Sequence, residues 1–149
     1  MSTFFWAAKK SNKKILNMLL KDLIKPKDII SILSLATKEC NKETLSMLED
    51  LIFLWAAKEG HKDILLKLIK KVNVNVTDDF ERTALMLAAV NGHKKIVTEL
   101  LKIESIEVNK EDSSEKTALM LAKENRHKEI EDKLLELEKI KKDAKKVKK

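Results

Sequence analysis

Residues 83–101 read TALMLAAVNGHKKIVTELL, and this stretch decides the fold. It opens with a short apolar run that ends in the small pair Ala88-Ala89, whose missing bulk lets a neighbouring helix come close. Gly92 then suits the position just past a helix end, where the backbone turns to positive φ. After His93, the residues Ile96, Val97, Leu100 and Leu101 recur at helical spacing. The stretch therefore predicts two short helices joined by a tight turn.

The same pattern returns on both sides. Trp55-Ala56-Ala57-Lys58-Glu59-Gly60-His61 precedes Ile64, Leu65 and Leu68. Leu121-Ala122-Lys123-Glu124-Asn125-Arg126-His127 precedes Ile130, Leu134 and Leu135. Trp6-Ala7-Ala8-Lys9-Lys10-Ser11-Asn12 precedes Ile15, Leu16, Leu19 and Leu20. The three histidines are spaced by 32 and 34 residues. One helix pair cannot bury its own apolar face, so pairs repeating at this period must stack.

The pattern resembles the ankyrin repeat, with its consensus D-x-x-G-x-T-P-L-H-x-A-A-x-x-G-H-x-x-I-V-x-x-L-L. One copy runs from Asp78 through Thr83-Ala84-Leu85-Met86-Leu87-Ala88-Ala89 and Gly92-His93 to Leu100-Leu101. The next runs from Asp112 through Thr117-Ala118-Leu119-Met120-Leu121-Ala122 and His127 to Leu134-Leu135. Val74-Asn75 and Val108-Asn109 fit the family's hairpin, each Asn preceding its Thr by eight residues. The resemblance implies an all-α, ankyrin-type α-solenoid of antiparallel helix pairs, with hairpin loops near 72–82 and 103–116. Residues 1–138 would form the repeat domain, in units at 2–25, 26–50, 51–76, 77–110 and 111–138. Residues 139–149 would form a Lys-rich helical extension.

The departures carry their own expectations. The family's hairpin glycine is replaced by Glu81 and Glu115, which predicts less regular tips. Lys123 and Arg126 replace the small residue and the glycine of the last copy, as suits a capping unit with no neighbour. Residues 28–50 read as a degenerate helix pair begun at Pro26, but Ala36 to Ala56 is too short a step for an inserted hairpin. The stripe Ile130, Leu134, Leu137, Ile140, Ala144 and Val147 suggests a long last helix able to cover the end of the stack.

Composition removes most alternatives. The 149 residues include 2 Gly, 1 Pro, 1 Cys and no Tyr. Two glycines so far apart exclude both the dinucleotide fingerprint and the Walker loop. The lone Cys40 permits no internal disulfide. Histidines on stacked helices about 8–10 Å apart do not converge on zinc, so no metal is expected. Cys40 has no recognisable His partner, and neither G-x-S-x-G nor H-E-x-x-H occurs. We therefore expect no enzyme activity, no cofactor and no small-molecule substrate. The apolar runs at Phe4–Ala8 and Leu51–Ala57 are too short to span a bilayer, and the first lacks a preceding charge, so a cytoplasmic monomer is the expectation. Delivery into another cell stays open.

By the resemblance, the partner is another protein, met by hairpin tips and the ends of first helices on the concave side. The candidates carried over are Thr77, Asp79, Phe80, Arg82, Val90 and Asn91, then Glu111, Ser113, Ser114, Lys116, Glu124 and Asn125, with Lys58 and Glu59 extending the row. Phe80 has two readings: an exposed anchor, or a side chain folded onto the second-helix layer. Trp6, Trp55, Met86 and Met120 occupy positions that read as packing. The net charge of +7 resides mostly in residues 139–149, where seven lysines and one Asp leave the other 138 residues at +1. Lys139, Lys141, Lys142, Lys145, Lys146, Lys148 and Lys149 are thus candidates for attraction to nucleic acid or an anionic membrane, or a solubilising helix end. Only Arg82 and Arg126 are arginine, and no aromatic residue interleaves the tail lysines, which argues against base-specific recognition.

Overall fold

A computed structural model describes residues 25–147, so the unit expected at 2–25, with Trp6, and the side chains of Lys148 and Lys149 lie outside the described residues. Among these residues are seven helices and no strand, only an isolated antiparallel bridge between Thr77 and Thr83. The helices are α1 (Pro26–Glu39), α2 (Lys42–Glu59), α3 (Lys62–Leu68), α4 (Ala84–Val90), α5 (Lys94–Leu101), α6 (Ala118–Glu124) and α7 (Lys128–Val147).

α2, α4 and α6 pack side by side as a first row, and α3, α5 and α7 form a second row behind them. Alanines set the spacing of the first row: Ala56, Ala57, Ala88, Ala89 and Ala122 are all fully buried. Between the rows lie Leu65, Leu68, Leu85, Ile96, Leu100 and Leu134. α4 has a first-row neighbour on each side, and every residue from Ala84 to Ala89 is buried.

Local chemistry starts each first-row helix. Asn41 accepts the Thr44 N–H at 2.8 Å, while Thr83 and Thr117 accept those of Met86 and Met120 at 3.3 Å. Each such cap contributes about 1 kcal/mol. Gly60 and Gly92 close α2 and α4 at φ 86° and 75°. Behind each sits the imidazole of the following unit. A Cβ added at Gly60 would lie 2.7 Å from the His93 ring, and one at Gly92 would lie 2.7 Å from that of His127. His93 Nε2 donates to Lys58 O at 2.8 Å, and His127 Nε2 donates to Val90 O at 3.1 Å. Neither ring carbonyl contact lies within its own repeat: both bind the end of the preceding first-row helix. At His61, the equivalent ring stacks on Trp55 with centroids 4.8 Å apart.

Four expectations are corrected. The boundary placed between residues 50 and 51 falls inside α2, which is one helix of 18 residues. No Gly or Pro interrupts Lys42–Glu59, and Leu48, Leu51, Ile52 and Phe53 bury it continuously. The hairpin tips are regular despite the lost glycines. Glu81 and Glu115 both adopt φ 59°, and Asp78 and Asp112 hold them there. Asp78 Oδ1 accepts the Phe80 and Arg82 N–H groups at 2.9 Å, and Asp112 Oδ1 accepts those of Ser114 and Lys116 at 2.8 and 3.0 Å. Met86 is buried but Met120 is 49% exposed. Both hold the same repeat position, and only α4 has a first-row helix following it.

α7 likewise does not fold over the end of the stack. Its Leu137 and Ile140 line a shallow groove with Thr98 and Leu101 of α5 and Lys102 just past its end, leaving Leu135 and Met120 exposed. Acidic Glu129 and Glu131 sit in its first turn and Lys145 and Lys146 in its last, which complements the helix dipole.

Arg126 takes φ 60° at the turn where the other units carry glycine. A left-handed conformation strains any residue with a Cβ. Arg126→Gly is therefore expected to raise stability by roughly 0.5–1 kcal/mol in chemical denaturation. A loss of stability would contradict this account of the turn.

Candidate partner-binding surface

The exposed ends of the first row line up. Lys58 and Glu59 close α2, Val90 and Asn91 close α4, and Glu124 and Asn125 close α6. All are exposed except Val90, which is half-buried. Asn91 and Asn125 are turned back on their helices, their Nδ2 groups donating to Leu87 O and Leu121 O at 2.8 Å. The backbone carbonyls of Lys58 and Val90 are already used by the next unit's histidine.

The hairpins form the other part of the surface. Asn75 ties them at their base, donating to Ser105 O and accepting from the Glu107 N–H, both at 2.9 Å. At the tips, the Ser113 N–H donates to Phe80 O at 3.0 Å, so the two loops form one edge. Thr77 is half-buried in its bridge to Thr83, whereas Asp79, Glu111, Ser113 and Ser114 are exposed. Lys116 reaches from its tip to Glu124 at 2.7 Å, joining the hairpin edge to the end of α6. The hydrogen bond to Glu124, reinforced by its charge, holds the Lys116 ammonium above the usual lysine pKa.

Phe80 is the outlier. It is 61% exposed, which settles its two readings in favour of the tip rather than the second-helix layer. The Arg82 guanidinium lies 5.1 Å from its ring centroid and is fixed by a 2.9 Å bond from Nε to Asp78 Oδ2. The cation over the ring, itself held by Asp78, restricts the side chain.

The structure places Thr77, Asp79, Phe80 and Arg82 in one hairpin and Glu111, Ser113, Ser114 and Lys116 in the next, the two joined by the Ser113–Phe80 bond, with Lys58, Glu59, Val90, Asn91, Glu124 and Asn125 at the ends of the first-row helices. Lys139, Lys141, Lys142, Lys145 and Lys146 are exposed on the C-terminal half of α7. The sequence reading missed Asp78 and Asp112 as the residues that build the tips. The signal was present: each lies five residues before the capping Thr. His61 and His93 stand at the N-cap positions of α3 and α5 but make no side-chain cap.

Among the described residues no group of three His, Cys, Asp or Glu side chains is placed to hold a metal ion. No described helix is long and apolar enough to cross a membrane. Cys40 is half-buried at the end of α1.

The ankyrin-repeat description, in three copies, matches residues 53–146. The chain belongs to the ankyrin-repeat family. Ankyrin repeats are generally protein–protein interaction modules, and the family is typically non-catalytic. Inversin of Danio rerio is 43% identical over 53 residues, which cover 34% of this chain and 5% of inversin. Among solved structures, the complex of a predatory endopeptidase from Bdellovibrio bacteriovorus with an immunity protein contains a similar chain. The TM-score is 0.54 at 26% identity, over 57% of this chain and 45% of that one. The chain thus spans less than half of each of these proteins.

One titratable group in the ankyrin stack is unusual. Glu49 of α2 is half-buried, and its Oε2 is shielded from solvent without a hydrogen-bond partner among the described residues. Burial pushes its pKa above the ordinary 4.5, Asp50 adds to the rise, and Lys71 opposes it. The native state therefore holds this proton more tightly than the unfolded chain. The resulting stability is complete below the unfolded pKa and is lost as pH rises through the folded one. Glu49→Gln should raise the melting temperature near about pH 7 and confer no gain near about pH 3.5, below the carboxylate range. An equal gain at both pH values would show that the carboxyl's ionisation is not the cause.

Proposed function

We propose that this ankyrin-repeat chain is a non-catalytic binding module, which engages a partner protein along the hairpin edge and the adjoining first-row helix ends. Phe80 carries the reading. A large apolar side chain normally leaves water on folding, yet this one stands 61% exposed, with its rotamer restricted by Arg82 and Asp78. Pre-ordered aromatic and arginine side chains lose little entropy on binding and supply much of the affinity at protein interfaces.

The surroundings support a protein rather than a small ligand. The polar candidates Asp79, Asn91, Glu111, Ser113, Ser114 and Asn125 are exposed, and Phe80 is the one large apolar side chain exposed among the candidates. That is the composition of an interface with a single anchor and a polar rim. The endopeptidase and immunity protein of the similar structure are partners in a complex, which is consistent with a binding role for this fold.

Affinity capture with the wild-type chain and a Phe80→Ala, Arg82→Ala double variant tests the proposal. Loss of an anchor of about 2 kcal/mol is expected to lower recovery of the partner by roughly thirtyfold, with the far-ultraviolet circular dichroism spectrum unchanged. Equal recovery by both proteins would rule this edge out as the binding surface.

A further inference from the structure

Some lysines of the molecule are paired with carboxylates, and the last turns of α7 hold a cluster that is not. Lys62, Lys94, Lys102, Lys110, Lys116 and Lys128 each lie in an ion pair with a nearby carboxylate. Lys139, Lys141, Lys142, Lys145 and Lys146 are exposed and make no ion pair among the described residues. Positive charge is concentrated on the last turns of α7, where residues 139–146 carry five lysines and one Asp.

Its arrangement says what would neutralise it. At about 100° per residue, these five lysines fall within one arc of roughly 160° on α7. Leu137, Ile140 and Ala144 share a narrow sector on the other side. Ile140 is 57% exposed, and Ala144 is exposed with it. The helix therefore stays amphipathic beyond Leu137, which packs on the repeats, with a basic face and a small apolar face exposed at Ile140 and Ala144.

We propose that the C-terminal half of α7 docks onto an anionic lipid surface, with Ile140 and Ala144 entering the headgroup layer and the lysines reaching lipid phosphates and carboxylates. Clusters of four to eight basic residues on an amphipathic helix bind such surfaces, each lysine adding to the attraction. A nucleic-acid duplex would use the lysines alone and leave Ile140 in water. The absence of arginine and aromatic residues from this segment removes the side chains best suited to bases. The long aliphatic lysine stems also suit a helix lying at a lipid interface, where they lift the charge to the headgroups.

The test is co-sedimentation of the full chain with vesicles of phosphatidylcholine alone or with about 30% phosphatidylserine, at about 0.1 M salt. Duplex DNA is titrated in parallel. The chain is expected to sediment with the anionic vesicles and not with the neutral ones. Neutralising four lysines together (Lys141→Gln, Lys142→Gln, Lys145→Gln and Lys146→Gln) should weaken vesicle binding by at least about a hundredfold. Ile140→Gln should weaken it roughly tenfold and leave any DNA binding unchanged. Glutamine favours helix, so circular dichroism should report the same fold for each variant. Equal sedimentation with neutral and anionic vesicles would overturn the proposal. So would tight DNA binding combined with vesicle binding indifferent to Ile140, which would assign the lysines to nucleic acid.

Discussion

The stack depends on one contact used twice: an imidazole laid against the glycine that ends the preceding first-row helix. His93 covers Gly60 and bonds Lys58 O, and His127 covers Gly92 and bonds Val90 O. The contact needs a residue with no Cβ and a positive φ, and both glycines provide the two together. It also gives a partner to a carbonyl at a helix end, where the backbone has none of its own. The Ala pairs set how closely the first-row helices approach, but packing of alanines is tolerant of sliding. A directional bond from one unit to the next fixes where along the helix the neighbour stops. The order of Gly and His therefore sets the register of the ankyrin units, and with it the row of helix ends and hairpin tips.

That register makes the hairpin edge one surface. Asn75 and the Phe80–Ser113 bond tie adjacent loops only because the units behind them are already aligned. Asp78 and Asp112 then do locally what the family's glycine does, holding Glu81 and Glu115 at positive φ through two backbone bonds each. A tip built this way is stiff without glycine. Stiffness matters at Phe80, since an exposed aromatic that is already ordered loses less freedom when it meets a partner.

Much of this was legible from residue spacing. The Ala-Ala, Gly-His and Ile/Leu intervals locate α4, α5 and α6 and the two hairpins, because each repeat must satisfy the same local geometry. What the spacing did not disclose depends on neighbours. Met86 and Met120 are identical in sequence context, and only the presence of a following unit buries one and exposes the other. α2 joins two expected helices because nothing between Asn41 and Gly60 stops it, a feature hidden when repeats are counted by period. His93 and His127 each immediately precede a second-row helix in sequence, but their ring contacts lie 35 and 37 residues away, which local spacing does not disclose. The direction of α7 followed from its packing on α5, which a stripe on one helix does not specify.

The central claim is that the histidine–glycine contact couples successive units, and a double-mutant cycle measures it. Chemical denaturation of Gly92→Ala, His127→Ala and the double variant gives the coupling free energy. The φ strain of alanine at residue 92 is present with or without the imidazole and cancels in the cycle. The account predicts that removing His127 relieves the clash, so that Gly92→Ala costs about 1 kcal/mol less in the His127→Ala background. Additivity to within about 0.3–0.5 kcal/mol would mean that ring and glycine do not sense each other, and that the units are held in register by something else.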